Sequence, residues 1–201
     1  MPLHYEDDRV QITKVVVGPM VNNVFVARCV ETGESVLVDA ADEPEVLLPL
    51  CQELSVGDVL TTHGHRDHIQ AVPAVRRAGH RVGVAQGDAE LLSAYDFEIA
   101  DDDVVEVGRL RLHAIHTPGH TPGSTCFRIE GSPVLFSGDT LFPGGPGNTR
   151  RNPVHFATII RSIQQRLFTL PDDTLVLPGH GDDTTIGTER PHLQEWIDRG
   201  W

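Results

Sequence analysis

Residues 62–68 of the chain read Thr-His-Gly-His-Arg-Asp-His and hold four side chains of types that bind metal ions: His63, His65, Asp67 and His68. In an extended segment the side chains alternate between two faces, so His63 and His65 can point to the same side. Asp67 and His68 follow after a turn and are expected to face a second centre. The stretch therefore predicts two adjacent metal ions, whose chemistry is the activation of water.

The same design recurs along the chain, because other apolar strands also run into short turns that present a ligand-type side chain. Strands predicted to end at Thr62, Ile115, Phe136 and Leu177 precede, in that order, His63 with His65, His120, Asp139 and His180. Strand ends that meet at one edge of a sheet are where α/β proteins commonly build sites. With Asp67 and His68 the chain offers five His and two Asp. This set is enough for two centres of three protein ligands each, with a shared carboxylate and an open position for water.

Strands and helices must carry these turns. Residues 10–17, 23–29 and 35–39 are rich in β-branched side chains and predict an opening antiparallel meander. Further strands are predicted at residues 56–62, 81–85, 104–107, 109–115, 124–130, 134–136 and 174–177. Helices are predicted at residues 43–54 (capped by Asp42), 69–78, 88–94, 153–167 and 189–201. The alternation indicates an α/β fold in a single domain spanning residues 1–201.

Composition restricts the classes of partner. The 16 basic and 29 acidic residues give a net charge of −13, which repels nucleic acid where no basic stripe is present. No run of about 18 apolar residues predicts a membrane span, and the acidic residues 1–9 are unlike a secretory signal. The three cysteines are expected to be buried free thiols in a reducing compartment. We therefore expect a cytoplasmic protein that acts on a small molecule, without nucleic-acid or membrane partners.

The His-Gly-His-Arg-Asp-His run at residues 63–68 matches an HxHxDH signature, and its spacing to the later ligands resembles metallo-β-lactamase-fold hydrolases of the glyoxalase II (hydroxyacylglutathione hydrolase) branch. Residues 117–124, 137–142 and 178–181 are also similar to that branch. The resemblance implies a four-layer αββα sandwich. It assigns His63, His65 and His120 to a first metal, Asp67, His68 and His180 to a second, and Asp139 to the bridge between them.

The chain departs from glyoxalase II in two places. That branch carries a C-terminal helical domain whose basic residues hold glutathione, whereas 21 residues follow His180 here. The loop after the bridging Asp usually has Gly-x-Gly and then a basic residue, but here Asn148 follows residues 145–147. The resemblance therefore implies a shorter hydrolase that lacks the helical domain and for which glutathione is in doubt. The candidate substrate contacts are Asn148, Thr149 and Arg150.

The function that the resemblance implies is binuclear metal-dependent hydrolysis, with Asp67 and Asp139 as catalytic carboxylates. Two divalent ions, zinc first and iron or manganese as alternatives, would supply a metal-bound hydroxide that attacks the carbonyl of a thioester. A thiolate leaves without a dedicated general acid, which favours a thioester over an amide. The alternatives are a mononuclear iron persulfide dioxygenase of the same superfamily, a hydrolase of lactones or other esters, a nuclease, and a metal-binding regulator. His113, His116 and His155 either approach the site or pack elsewhere.

Overall fold

The structure, a computed structural model, describes residues 3–200 and contains two large β-sheets with helices on the outer face of each, and a short two-stranded sheet. Three clusters of buried apolar side chains hold the layers together. One lies between the sheets, one between the first sheet and its helices, and one between the second sheet and its helices. The predicted α/β class and four-layer αββα sandwich are therefore confirmed.

The first sheet has seven strands in sequence order. They are β1 Tyr5–Glu6, β2 Val10–Val17, β3 Asn22–Cys29, β4 Ser35–Val38, β5 Val56–Leu60, β6 Arg81–Val84 and β7 Phe97–Glu98. Pairing from β1 to β4 is antiparallel, which confirms the predicted meander, and pairing from β4 to β7 is parallel. Parallel neighbours require crossover connections. Helix α1 (Pro44–Glu53) connects β4 to β5, while α2 (Arg66–Ile69) and α3 (Val72–Arg77) connect β5 to β6.

The second sheet has six strands in the order β15-β14-β11-β10-β9-β8. In chain order, the strands of this half are β8 Val104–Val107, β9 Leu110–His116, β10 Thr125–Ile129, β11 Val134–Gly138, the β12 Leu141–Phe142 and β13 Gly145–Pro146 hairpin, β14 Leu175–Pro178 and β15 Thr184–Thr185. Its helices are α4 Pro153–Ser162, which continues into a π-helical turn at Ile163–Leu167, α5 Ile186–Glu189 and α6 Leu193–Arg199. Both β9 and β11 are antiparallel to β10, and β14 is parallel to β11. Strands β9, β11 and β14 therefore end at the same edge.

Two predicted helices near the site have different bounds in the structure. The helix predicted at residues 69–78 begins earlier, at Arg66, and breaks between α2 and α3. At the break, the N–H groups of Gln70 and Ala71 donate to the carbonyls of Ala41 and Ala40, at 2.9 and 3.0 Å. The helix predicted at residues 88–94 is a 3-10 helix over Gln86–Leu91. Tertiary hydrogen bonds thus override the local helical pattern in the first of these segments.

Two further details of the prediction are wrong. Glu43, not Asp42, occupies the N-cap position of α1, and it has a φ of 47° and no side-chain cap. The helix predicted at residues 189–201 is divided into a 3-10 turn at Arg190–His192 and α6, and residue 201 lies outside the described part of the chain. The remaining predicted elements agree with the structure to within two residues at each end.

The three cysteines are buried free thiols, as predicted. Within residues 3–200, no helix is both long enough and apolar enough to cross a bilayer. The single domain predicted over residues 1–201 stays a prediction.

Candidate metal centre

Strands from both sheets end at one edge of the sandwich and present the ligand-type side chains there. His63 and His65 follow β5 of the first sheet. In the second sheet, His120 follows β9, Asp139 comes directly after β11, and His180 follows β14. Asp67 and His68 lie in the short helix α2, directly after the extended segment that carries the first two histidines. The predicted convergence of strand ends is therefore observed.

The potential ligand atoms form three sets, and within each set all atoms lie within 4.8 Å of one another. The sets are His63, His65 and His120; His63, His68 and Asp139; and Asp67, His68 and His180. The first and last sets have the same members as the two metal sites that the resemblance implies. The structure thus brings together all seven predicted ligands.

Asp139 spans the two outer sets. Its Oδ2 atom lies 3.5 Å from Nε2 of His120, in the first set, and 3.7 Å from Nε2 of His180, in the last. Its Oδ1 atom lies 3.5 Å from Nε2 of His68. The Asp139 carboxylate would therefore be within reach of ions held by either outer set.

The distances between ligand atoms within each outer set fit a tetrahedral metal ion. Ligand atoms that each lie about 2.1 Å from one tetrahedral zinc are about 3.4 Å from one another. Nε2 of His63 lies 3.1 Å from Nδ1 of His65, and Nε2 of His68 lies 3.2 Å from Nε2 of His180. Nε2 of His120 is buried and has no hydrogen-bond partner among residues 3–200. An unpartnered buried nitrogen is costly, and a metal ion would satisfy it.

Backbone carbonyls fix the orientation of two of the rings. Nδ1 of His120 lies 2.9 Å from the carbonyl oxygen of Asn148, and Nδ1 of His180 lies 3.0 Å from that of Met20. A carbonyl can only accept, so the proton of the neutral ring must be on Nδ1 and the lone pair on Nε2. Each Nε2 atom is thereby prepared to bind a metal.

The Asp39 carboxylate orients two further rings. Its Oδ2 atom lies 2.8 Å from Nδ1 of His68 and accepts a 2.7 Å hydrogen bond from Oγ1 of Thr62. Because that hydroxyl donates to Asp39, its lone pair can accept from Nδ1 of His63, 3.2 Å away. Nε2 of both histidines is thus free to bind a metal. Such support by outer groups is typical of metal-binding histidines.

Burial keeps the first set of histidines neutral. Burial, reinforced by the neighbouring imidazoles of His68 and His120, holds the pKa of His63 well below its ordinary value. Burial and the imidazole of His120 lower the pKa of His65, and burial lowers the pKa of His120. Neutral imidazole is the form that binds a metal.

In the last set, that of Asp67, His68 and His180, nearby carboxylates determine the direction in which the histidine pKa values shift. Burial opposes protonation of His68, but Asp39 outweighs it and raises the pKa of His68 to about 9. Burial is likewise outweighed at His180, whose pKa is raised by Asp67. In return, the hydrogen bond from His180 holds the pKa of Asp67 well below its ordinary value, against the effect of burial. A divalent cation bound to this set would displace the protons that these carboxylates favour on His68 and His180, and the carboxylates would then offset the charge of the cation.

Sequence reasoning missed two residues that support the ligands. Asp39 has a φ of 63°, a left-handed conformation that is uncommon outside glycine and typical of strained functional positions. It directly follows an apolar strand, so the strand-end rule that identified Asp139 could also have identified Asp39. The Nδ2 atom of Asn22 donates a 3.0 Å hydrogen bond to Asp67 and lies 3.3 Å from Nε2 of His180. No pattern in the sequence indicated Asn22.

A cavity of about 470 Å³ opens over the ligands, a size suited to a small molecule. Apart from the ligand residues, Met20, Arg66, Asn148 and Arg150 line it. Of the predicted substrate contacts, Asn148 and Arg150 are thus at the cavity, whereas Thr149 is buried and does not line it.

The three other histidines considered from the sequence lie outside the ligand sets. Nε2 of His113 is 2.6 Å from a carboxylate oxygen of Glu130. Nε2 of His116 is 2.9 Å from the carbonyl oxygen of Pro122, and His155 is exposed on α4. Their contacts are those of surface and packing residues.

Comparison with known proteins adds to this geometry. The profile of the Metallo-beta-lactamase superfamily matches residues 17–180. A hydroxyacylglutathione hydrolase from Fuscovulum blasticum is 37% identical over 79% of the chain, and the match covers 62% of that relative. The hydroxyacylglutathione hydrolase GloC from Haemophilus influenzae is 30% identical over 77% of the chain and 83% of the relative.

Solved structures of similar shape include ETHE1 from Myxococcus xanthus, with a TM-score of 0.79 and 29% identity over 90% of this chain and 82% of that one. They also include TTHA1623 in a di-iron-bound form, with a TM-score of 0.75 and 29% identity over 89% of this chain and 96% of that one.

Gly179→Ala is expected to weaken metal retention at least about tenfold, because the new methyl group would enter the ligand cluster. Its Cβ would lie 2.5 Å from Oδ1 of Asp139 and 2.6 Å from Cε1 of His68, so a ligand must move. Elemental analysis after dialysis against a chelator measures the loss. The control is Gly57→Ala, whose Cβ would meet no atom closer than 4.0 Å and which should keep its metal. Equal metal retention by the two variants would contradict the prediction that a methyl group at position 179 displaces a metal ligand.

Proposed function

Because the chain belongs to the metallo-beta-lactamase superfamily, we propose that it is a hydrolase that holds two divalent metal ions and cleaves a thioester. The observation that carries the proposal is the position of Asp139 between two complete sets of ligand atoms. His63, His65 and His120 would hold one ion and Asp67, His68 and His180 the other. When bound, two such ions lower the pKa of a shared water from about 15.7 towards 7 and polarise a carbonyl.

Residues of the chain prepare the site for this chemistry. Asn148 and Met20 hold the rings of His120 and His180 through backbone carbonyls. Asp139 would keep the two ions adjacent. We propose zinc as the resident metal, with iron or manganese as alternatives, because imidazole and carboxylate ligands suit all three.

The lining of the cavity supports a thioester as the substrate. Apart from the ligand residues, it offers Met20, Arg66, Asn148 and Arg150, none of which is a side chain of the types that usually serve as general acids. An amine leaving group would need such a donor. A thiolate, whose conjugate acid has a pKa of about 8.5, leaves without one. Two relatives named hydroxyacylglutathione hydrolase are in keeping with this choice.

Arg150 is the proposed contact for an anionic group of the substrate. It lines the cavity, is exposed, and forms no ion pair with a carboxylate in the part of the chain described. Its backbone is held in the left-handed region, with a φ of 53°, and its N–H donates a 2.7 Å hydrogen bond to Oδ1 of Asn148. These constraints act on the backbone, and the exposed guanidinium at the cavity suits a carboxylate.

The partners proposed from the sequence stay as they were. We propose a small-molecule substrate and a cytoplasmic location, with neither nucleic acid nor membrane as a partner. The net charge of −13 supports the exclusion of nucleic acid.

The metal-free protein is expected to take up two transition metal ions per chain. Asp67→Ala removes a ligand of one set only, so it should retain about one ion, lose most hydrolysis, and keep its far-ultraviolet circular dichroism. His155→Ala, an exposed histidine outside the sets, is the control and should bind two. Elemental analysis after reconstitution with zinc or manganese gives the count. A limit of one ion in the unaltered protein would reject the binuclear proposal.

The reconstituted enzyme is expected to release free thiol from a lactoyl thioester without consuming oxygen. A panel of thioesters with different thiol carriers, followed with a thiol-trapping dye, tests this, and glutathione should be outperformed by another carrier. An oxygen electrode with a thiol persulfide runs in parallel. Oxygen uptake with persulfide and silence on every thioester would favour the iron dioxygenase. No reaction in either assay would favour a hydrolase of lactones or other esters.

Arg150→Ala is expected to raise KM for anionic thioesters about tenfold or more and to change KM for neutral ones little, because it removes one charge-assisted hydrogen bond. The matched control is Arg151→Ala: Arg151 is also exposed and left-handed, with a φ of 57°, but does not line the cavity. Steady-state kinetics on both substrate types measures the difference. An equal effect on the two types would remove Arg150 from the substrate site.

A further inference from the structure

Asp88 is a fully buried carboxylate that lies outside the ligand sets. It belongs to the 3-10 helix Gln86–Leu91, between β6 and β7. No basic side chain forms an ion pair with it among residues 3–200. Burying an unpaired carboxylate is costly unless hydrogen bonds compensate, so its contacts indicate what it is for.

Among residues 3–200, the Asp88 carboxylate accepts three hydrogen bonds, and all of them come from the two loops that carry the first set of histidines. Oδ2 accepts from the N–H of Gly64, at 2.8 Å, and from the hydroxyl of Thr121, at 2.6 Å. Oδ1 accepts from the N–H of Gly123, at 2.8 Å. Gly64 lies between His63 and His65, and Thr121 follows His120. Two of the donors are thus sequence neighbours of ligands.

The two loops are built to admit this carboxylate. A Cβ at Gly123 would lie 2.6 Å from Cγ of Asp88, and a Cβ at Gly64 would lie 2.8 Å from Cβ of Leu91 and 3.1 Å from Cβ of Asp88. Glycine at both positions lets the backbone N–H groups approach closely. All three donors require an acceptor, which a carboxylate supplies at both oxygens and an amide at only one.

We infer that Asp88 is a positioning residue for the first metal set, because its carboxylate ties the loop of His63 and His65 to the loop of His120. The inference rests on the proposed metal sets. Loss of an outer hydrogen-bonding group typically weakens metal affinity about 10- to 100-fold. Because the hydrogen bonds that the Asp88 carboxylate accepts within the described residues all come from the loops of the first set, the loss should be confined to that set.

Asp88→Asn tests the inference, with cobalt(II) as the probe. Titration of the metal-free protein, followed by visible absorption and competition with a chelator, resolves the two binding steps. His65→Ala and His180→Ala identify which step belongs to which set. Asp88→Asn should weaken the first-set step about 10- to 100-fold and leave the second-set step unchanged. Asn22→Ala, which removes a contact to the second set, should do the reverse.

Two variants separate positioning from general stability. Glu189→Gln alters another buried carboxylate, which accepts from Thr184 and Gly144 away from the ligands, and should change thermal unfolding without changing either cobalt step. Thr121→Val keeps the carboxylate and removes one donor, so it stays informative if Asp88→Asn fails to fold. It should weaken cobalt binding at the first set about fivefold, the equivalent of one hydrogen bond.

The outcomes distinguish this inference from the proposed function. One cobalt step in the unaltered protein would reject the binuclear proposal. Asp88 would then keep its role only if that step belongs to the three-histidine set and is weakened in Asp88→Asn or Thr121→Val. An unchanged first-set step in the Asp88 variant, or equal weakening of both cobalt steps, would overturn the positioning role.

Discussion

The hydrogen bonds of the Asp39 carboxylate are the contacts on which the site most depends. Oδ1 accepts from the N–H of Thr62, and Oδ2 accepts from its hydroxyl, both at 2.7 Å, while Oδ2 also meets Nδ1 of His68 at 2.8 Å. The carboxylate is 2% exposed, so these donors offset the cost of burying its charge. One side chain at the end of β4 thereby fixes both the end of the neighbouring strand and a proposed metal ligand. Without it, the loop of residues 62–68 would lose the hydrogen bonds that hold Thr62 and His68 in position.

The two sheets are joined at the same edge where the ligands meet. The N–H of Thr125, in the second sheet, donates to the carbonyl of Thr62 at 2.8 Å. The N–H of Asn23, in the first sheet, donates to the carbonyl of Gly179 at 2.7 Å. These bonds, together with the apolar cluster between the sheets, make the distance between ligands from different sheets a property of the sandwich. Rigid elements hold catalytic groups more accurately than loops do.

Charge is distributed unevenly between the protein and its cavity. The chain has a net charge of −13, yet Arg66 and Arg150 line the cavity and form no ion pair with a carboxylate in the described residues. Elsewhere, arginines such as Arg81 and Arg166 are held by aspartates. A free guanidinium beside a cation-binding site favours a substrate that carries its own negative charge. This is the physical basis for proposing an anionic substrate.

The sequence alone predicted the candidate ligands and the α/β class, because both predictions follow from short-range patterns. Spacing within residues 63–68 and the recurrence of a ligand after an apolar strand depend only on the period of an extended chain and on turn-forming residues. Hydrogen-bond partners that are distant in the sequence could not be predicted from such patterns. Asn22 and Asp88 bind residues that lie 45 and 24 positions away, and no local pattern indicates such contacts. The position of Asp39 after an apolar strand could have marked it as a candidate, but not its bond to Thr62, 23 positions away. The break between α2 and α3 has the same origin, since carbonyls beyond β4 satisfy its N–H groups. Tertiary structure therefore decided which groups hold the ligands in place, because those hydrogen bonds exist only once distant segments have packed together.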